Sequence, residues 1–328
     1  MARPSKRILL LLAMLALGIT GSKAGFAASN DWPNKPVRLI VTYPAGGGAD
    51  IVARLVSAKM AQSLGQQIVV ENRPGANGQI GASAVAHSAP DGYTILLDAT
   101  GFAINPGLYK KLPYDSKNDF VPISLLVKFP NLLVKTPKFG AGSVQDLVKM
   151  AKEQPGQITY ASSGIGSVQH LAAALFASQF KLDMLHVPYK GGSPAMTDLA
   201  GGQVKIMFAN GASSLPFVKS GKAVALATTG SERSEALPEG PTMAEAGVPG
   251  FEVYEWNALF APKGTSAEII EKLSSAAHDA IGDAEVQKQL ISMGGEPIGG
   301  SPSDSKAFIY GEMEHWTKVI EENNIEAQ

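Results

Sequence analysis

The 328-residue chain contains no cysteine. That absence excludes a disulfide framework, a thiolate metal centre and a lipid attached through a cysteine. No HExxH, GxSxG or GxxxxGK[ST] pattern occurs, and the five histidines, His87, His170, His186, His278 and His315, stand singly. The sequence therefore offers no ready-made zinc site, nucleophile elbow or P-loop, and no metal or cofactor is expected. Long blocks of like charge are missing, as are internal repeats of about 20–50 residues. Beyond the N-terminus there is no apolar run of membrane length.

What is there begins with Arg3, Lys6 and Arg7, then twelve apolar or small residues from Ile8 to Ile19, then small residues ending in Gly25-Phe26-Ala27. A basic start, a short apolar centre and a small-residue end form a secretory signal peptide, too short to span a bilayer. Residues 1–27 are assigned to it, with cleavage expected near Ala27 and delivery to the periplasm. They hold four basic residues and no acid, so the remaining chain has 24 basic residues against 29 acids. Nucleic acid is excluded as a natural partner by that balance. About 300 residues remain, more than one core commonly holds, which predicts two domains.

From Val37 onward, apolar runs of strand length alternate with helical patterns across glycine-rich turns, the mark of an α/β fold. Strands are predicted at Val37–Tyr43, Gln67–Glu71, Tyr93–Asp98, Ile158–Ser162, Leu185–Val187, Lys205–Ala209, Val224–Thr228 and Glu252–Phe260. Helices are predicted from a cap at Asp50 to a stop at Gly65, and at Gly78–Ser88, Ser143–Glu153, Val168–Phe180, Pro194–Ala200, Ala267–Gly282, Ala284–Met293 and Ser303–Glu322. Extended stretches near Ile123–Lys135 and Gly250–Ala261 are the places where the chain can cross between domains. The expectation is a discontinuous first domain, residues 28–131 plus 250–328, and a second of residues 132–249.

Two segments share one design, a buried strand followed by a glycine-rich turn and a helix start. They are Tyr43-Pro44-Ala45-Gly46-Gly47-Gly48-Ala49-Asp50 and Ser162-Ser163-Gly164-Ile165-Gly166-Ser167. Unpaired N–H groups at a helix start favour an anion, and glycine lets a ligand approach the backbone closely. One such loop from each domain would clamp a carboxylate. Tight turns alone would also account for the glycines. His170 falls in the first turn after Ser167, where it could face the cleft, and no base is identifiable for the nearby serines. Aromatic residues fall at loop mouths, among them Tyr43, Tyr189 and Tyr254, and partial exposure is expected of Phe102 and Trp256, which would then line the apolar part of a pocket.

Read together, Trp32-Pro33, Lys35-Pro36-Val37-Arg38-Leu39-Ile40-Val41, the loop Tyr43–Asp50, Glu71-Asn72-Arg73-Pro74-Gly75-Ala76-Asn77-Gly78, Pro90-Asp91-Gly92-Tyr93, Ser163–Ser167, Val187-Pro188-Tyr189-Lys190-Gly191-Gly192 and Pro241-Thr242 resemble the Bug-type solute-binding proteins of tripartite tricarboxylate transporters. The resemblance implies a type II periplasmic-binding fold, two α/β lobes with a ligand cleft between them. It also implies capture of a small carboxylate, largely by backbone groups, and delivery to a membrane permease by a monomer that performs no chemistry. By position it adds Thr100, Phe102, Tyr189, Gly191 and Asn210 to the glycine loops as cleft-lining residues. Where the family often carries Phe-Asp-Asn this chain has Phe208-Ala209-Asn210. The missing acid favours a di- or aromatic carboxylate over an amino acid. A ligand-sensing subunit for a membrane receptor, or a hydrolase in the same cleft, are the competing functions.

Overall fold

The computed structural model describes residues 32–323, 325 and 326, so the expected signal peptide lies outside the described residues. The chain opens with three strand–helix units: β1 (Val37–Val41) and α1 (Gly48–Leu64), β2 (Ile68–Asn72) and α2 (Gln79–Ala86), β3 (Thr94–Ala99) and α3 (Gly101–Leu108). β1 pairs in parallel with both β2 and β3. A 16-residue strand follows, β4 (Phe120–Lys135), and then α4 (Val144–Glu153).

Three further units repeat the plan: β5 (Thr159–Ser162) and α5 (Val168–Phe180), β6 (Leu185–Pro188) and α6 (Gly192–Gly201), β7 (Ile206–Asn210) and α7 (Gly211–Lys219). β5 is parallel to β6 and to β7. After β8 (Val224–Thr228) and β9 (Tyr254–Pro262) come α8 (Ala267–Gly282), α9 (Ala284–Ser292), the two-residue β10 (Glu296–Pro297) and α10 (Pro302–Glu322).

The strands run in the order β2-β1-β3-β9-β4-β7-β5-β6, with β8 and β10 also paired to β4. β9 is antiparallel to β3 and to β4, and it faces β4 along Phe120–Pro130. From Asn131 to Lys135, β4 instead pairs with β7, and over Leu132–Lys135 with β8. One strand therefore belongs to both sets of pairings and exchanges partners between Pro130 and Asn131.

Covered strands explain the unbroken apolar runs, since a parallel strand with helices packed on it has no solvent face. All five residues of β7 are buried, and four of the five in β1. One aromatic group in the core joins Phe102, Tyr114, Phe120 and Phe260, with ring centroids 4.4 Å apart for Phe102 and Phe260. A second joins Phe176, Phe208 and Phe251. Trp256 and Trp316 both donate their indole N–H to Glu312 Oε2, at 3.0 and 3.1 Å.

The helices α5 and α8 have the spans that periodicity predicts, and most other elements agree within two residues. Two helices, α3 and α7, were not anticipated. Each has a glycine at its first position and an interior proline, Pro106 or Pro216, residues that read as loop because proline removes a helical N–H. β10 was missed for its brevity.

Candidate functional site

In parallel strands each followed by a helix, the strand C-termini and helix N-termini share one edge of the sheet, where ligands of open α/β folds bind. Here that arrangement occurs twice, and the two edges meet. A Cβ on Gly48, the first residue of α1, would lie 3.6 Å from Asn210 Oδ1 and 3.8 Å from the Ala212 Cβ at the start of α7. A Cβ on Gly192, the first residue of α6, would lie 3.2 Å from Ser213 Oγ and 3.6 Å from Ser163 Oγ. Asn77, just before α2, donates through Nδ2 to the Gly166 carbonyl oxygen at 2.9 Å and to Asn105 Oδ1 at 2.9 Å. The partially positive ends of helices from both sets thus point toward one region, where an anion gains both backbone N–H groups and a favourable dipole.

The first glycine loop is held from behind. Asp50 is not the helix cap that its position suggested. α1 starts three residues earlier, with Gly47 as its N-cap, because three successive glycines let the chain turn into the helix sooner. The Asp50 carboxylate lies buried in the first turn and accepts from Gly46 N–H at 2.9 Å, Asn72 Nδ2 at 2.9 Å and Arg54 Nε at 3.0 Å. Burial acts to raise its pKa, but the bonds from Arg54, Gly46 and Asn72 outweigh that and hold the carboxyl below its ordinary value. Gly46 occupies the left-handed region, φ +77°, where a side chain would be strained. Burial, followed by the nearby Asp98 and Glu255, raises the pKa of Tyr43 well above the usual value.

The second loop rests on a stack of rings. Ser167 caps α5, accepting from His170 N–H at 3.3 Å, while its Oγ donates to the Gly164 carbonyl at 2.7 Å. His170 neither faces an open cleft nor points to solvent. It is buried under the loop, where Nδ1 accepts from Gly166 N–H at 3.3 Å. Its ring stacks on His186 at 4.1 Å, and His186 stacks on Tyr160 at 4.8 Å. Burial pushes both histidines down to about 4, His170 adding to the effect at His186, so both are neutral at pH 7. His186 Nε2 lies 2.7 Å from Ser162 Oγ, a serine–histidine contact the sequence did not reveal. Ser162 is fully buried and also bonded to Gly164, so the contact shapes the turn.

Several expected site residues have side chains engaged in the fold. Phe102 and Trp256 are both fully buried, which corrects the expectation of partial exposure: Phe102 lies on the core face of α3 and Trp256 sits within β9, packed on Phe308. Thr100 is also fully buried, and its Oγ1 accepts from Trp256 N–H at 3.0 Å, tying β3 to β9. Tyr189 donates to Asp198 Oδ2 at 2.7 Å, and its carbonyl is 3.3 Å from where a Cβ on Gly164 would sit. The Gly191 N–H donates to the Ser163 carbonyl at 3.0 Å, joining the β5 and β6 loops. Asn210 caps α7, with Oδ1 accepting from Ala212 N–H at 2.8 Å.

Asn77, Gln169 and Glu255 also reach this region, and only Asn77 had any signal, its place in the Glu71–Gly78 stretch. Glu255 Oε2 accepts from Gln169 Nε2 at 2.5 Å, and the Asn210 amide reaches the same carboxylate. Burial raises the pKa of Glu255 while those two amides oppose the rise. Among the described residues no group of three or more His, Asp or Glu could hold a metal ion.

Residues 52–325 match the family model described as the tripartite tricarboxylate transporter family receptor. The chain belongs to that receptor family. It has the fold of the periplasmic binding protein BugD, at 35% identity and a TM-score of 0.85 over 90% of this chain and 100% of that one. Rpa4515 of Rhodopseudomonas palustris, solved with adipate, is 36% identical with a TM-score of 0.86, over 90% of this chain and 99% of its own. MatC from the same organism, with bound malate, is 34% identical with a TM-score of 0.83, over 88% and 100%. The receptor is therefore a Bug-type periplasmic solute-binding protein with a two-lobed α/β fold.

Proposed function

We propose that this receptor captures a small carboxylate between its two glycine loops and delivers it to a tripartite tricarboxylate-type permease without chemical change. The observation that carries this proposal is the approach of the Gly46–Gly48 loop to the start of α7, joined to the Asn77–Gly166 contact between the two sets of strand–helix units. Relatives that hold adipate and malate support the carboxylate class. The ligand contacts assigned to this chain are the backbone of Gly46, Gly47, Gly48, Gly164, Gly166 and Gly191, with Tyr43, Ser163, Ser167 and Asn210 as polar neighbours. Asp50 and His170 hold the loops from behind.

The lobes are assigned as residues 28–131 plus 250–328 and residues 132–249, and closure bends the chain at the partner exchange in β4 and at β9. A few extended residues can absorb such a change while both cores stay rigid. Binding then draws the population toward the closed form, which the permease recognises. The chain reaches the periplasm by loss of residues 1–27.

Thermal unfolding of the ligand-stripped protein against aliphatic dicarboxylates, citrate-like acids, amino acids and benzoate-like acids tests the function. A ligand at a hundred times its dissociation constant adds about 2.7 kcal/mol, a rise of a few degrees. One subclass raising the midpoint supports capture. A flat response across all of them defeats it, and turnover of any bound compound by purified protein would favour the hydrolase instead.

A further inference from the structure

Ala209 leaves β7 without the acid often found there, yet the region is not without one. Glu255 enters from β9, a different element. Its carboxylate accepts from Gln169, in the first turn of α5, whose amide also reaches Asn131, the β4 residue paired with Asn210, the cap of α7. Asn210 is also the residue that a Cβ on Gly48 would approach. Glu255 therefore sits where the β1, β5 and β7 loops come together. Its hydrogen-bond partners are neutral amides. The ion pairs formed among the described residues do not include it. Asn131 lies beside it, with Oδ1 3.5 Å from the same Gln169 Nε2 and a buried Nδ2 that has no partner.

A half-buried carboxylate without a counter-ion gains from a positive group that arrives to meet it. Helix N-termini favour the anionic end of a ligand, and an acid a short distance away favours a cationic one. Together they distinguish a zwitterion from a plain acid. We propose that Glu255 is a specificity-determining residue that receives a protonated nitrogen of the ligand, so that the cargo is a carboxylate also carrying a cationic nitrogen, as α- and ω-amino acids do. This inference rests on the carboxylate function proposed above. A dicarboxylate without nitrogen would set like charge beside Glu255 or force a proton onto it. The expectation of a di- or aromatic carboxylate weighed position 209 alone.

Calorimetric titration of the purified, ligand-stripped protein at pH 7.5 with matched pairs tests this: succinate and aspartate, glutarate and glutamate, butyrate and 4-aminobutyrate. In the wild type the amino member of at least one pair should bind ten-fold or more tightly than its nitrogen-free counterpart. Glu255→Gln should weaken that amino member about ten-fold and leave the counterpart unchanged or tighter, whereas Glu255→Asp, which keeps the charge, should preserve the order. Equal weakening of both members in Glu255→Gln would make Glu255 a structural brace and overturn the proposal. So would a wild type that prefers the nitrogen-free acids, although carboxylate capture would then stand. If neither member of any pair binds, the role of Glu255 falls, and carboxylate capture is decided by the wider panel above.

Discussion

Asn77 Nδ2 donates to the carbonyl oxygen of Gly166 across 89 residues of sequence, joining the loop before α2 to the loop before α5. A net contribution near 1 kcal/mol is usual for such a bond, and the same amide also serves Asn105. Asn77→Ala is therefore expected to weaken ligand binding roughly ten-fold, since about 1.4 kcal/mol separates each decade of affinity. The backbone of Asn77 is left-handed, φ +50°, so the same change also lowers stability by about 1 kcal/mol. Titration calorimetry reads the first effect and ligand-free melting the second. An unchanged affinity would show that the contact does not assist capture.

Gly48 offers a cleaner block than Gly164. The φ of Gly48 is not positive, and its Cβ would meet only ordinary contacts with Asn210 and Ala212. In Gly48→Val the added methyl groups fill the space between the starts of α1 and α7. Binding should fall at least a hundred-fold, with the ligand-free midpoint within about 2 °C of wild type. Gly164, at φ +137°, would strain under any side chain, so valine there would perturb the fold as well. Wild-type affinity in Gly48→Val would remove the first loop from the site.

The stacked histidines set an acid limit to stability. Both have folded pKa values near 4 against 6.5 for the free side chain, so the folded state resists their protonation. Their neutral form supports the fold fully above about pH 6.5, and that support is lost as pH falls toward 4. Melting curves from pH 7.5 to 4.5 should show a declining midpoint, shallower in His170→Phe, which keeps an aromatic ring in the stack. Equal slopes in the two proteins would acquit His170.

Asp98 acts in the opposite sense. Burial lifts it to about 7 from 3.8, against the bonds from Thr42 Oγ1 and Ala99 N–H, and its Oδ2 has no partner. An acid whose folded pKa is raised favours the fold when protonated, and that contribution disappears as pH climbs from about 4 to 7. Asp98→Asn should therefore melt higher than wild type at pH 8, with the difference shrinking by pH 5. A variant less stable at pH 8 would mean that the ionised carboxylate is held by contacts beyond these two.

The strands of all six strand–helix units, four of their helices and both glycine loops were legible in the sequence because strand-length apolar runs, capping serines and glycines leave local marks, whereas α3 and α7 were masked by an interior proline. Ser167 caps α5 where the sequence put it. Asp50 and Phe102 were misread for a shared reason. A carboxylate near a helix start serves equally as cap or as brace, and an aromatic beside glycine serves equally as pocket wall or core. Only packing from distant segments decides between them. Glu255 and His186 left no trace, since each gains its meaning from a partner on another strand or helix.

β4 would make the proposed hinge a stiff one. Many two-domain proteins join their parts by linkers that bend freely, but here the joint is the interior of a continuous strand, hydrogen-bonded to β9 on one side of Pro130 and to β7 and β8 beyond it. The proposed opening would flex a laddered ribbon, with an amplitude set by how much twist those ladders tolerate. Neither half owns a complete set of strands without β4. The two halves are thus bound to a common fate and are expected to melt as one cooperative body.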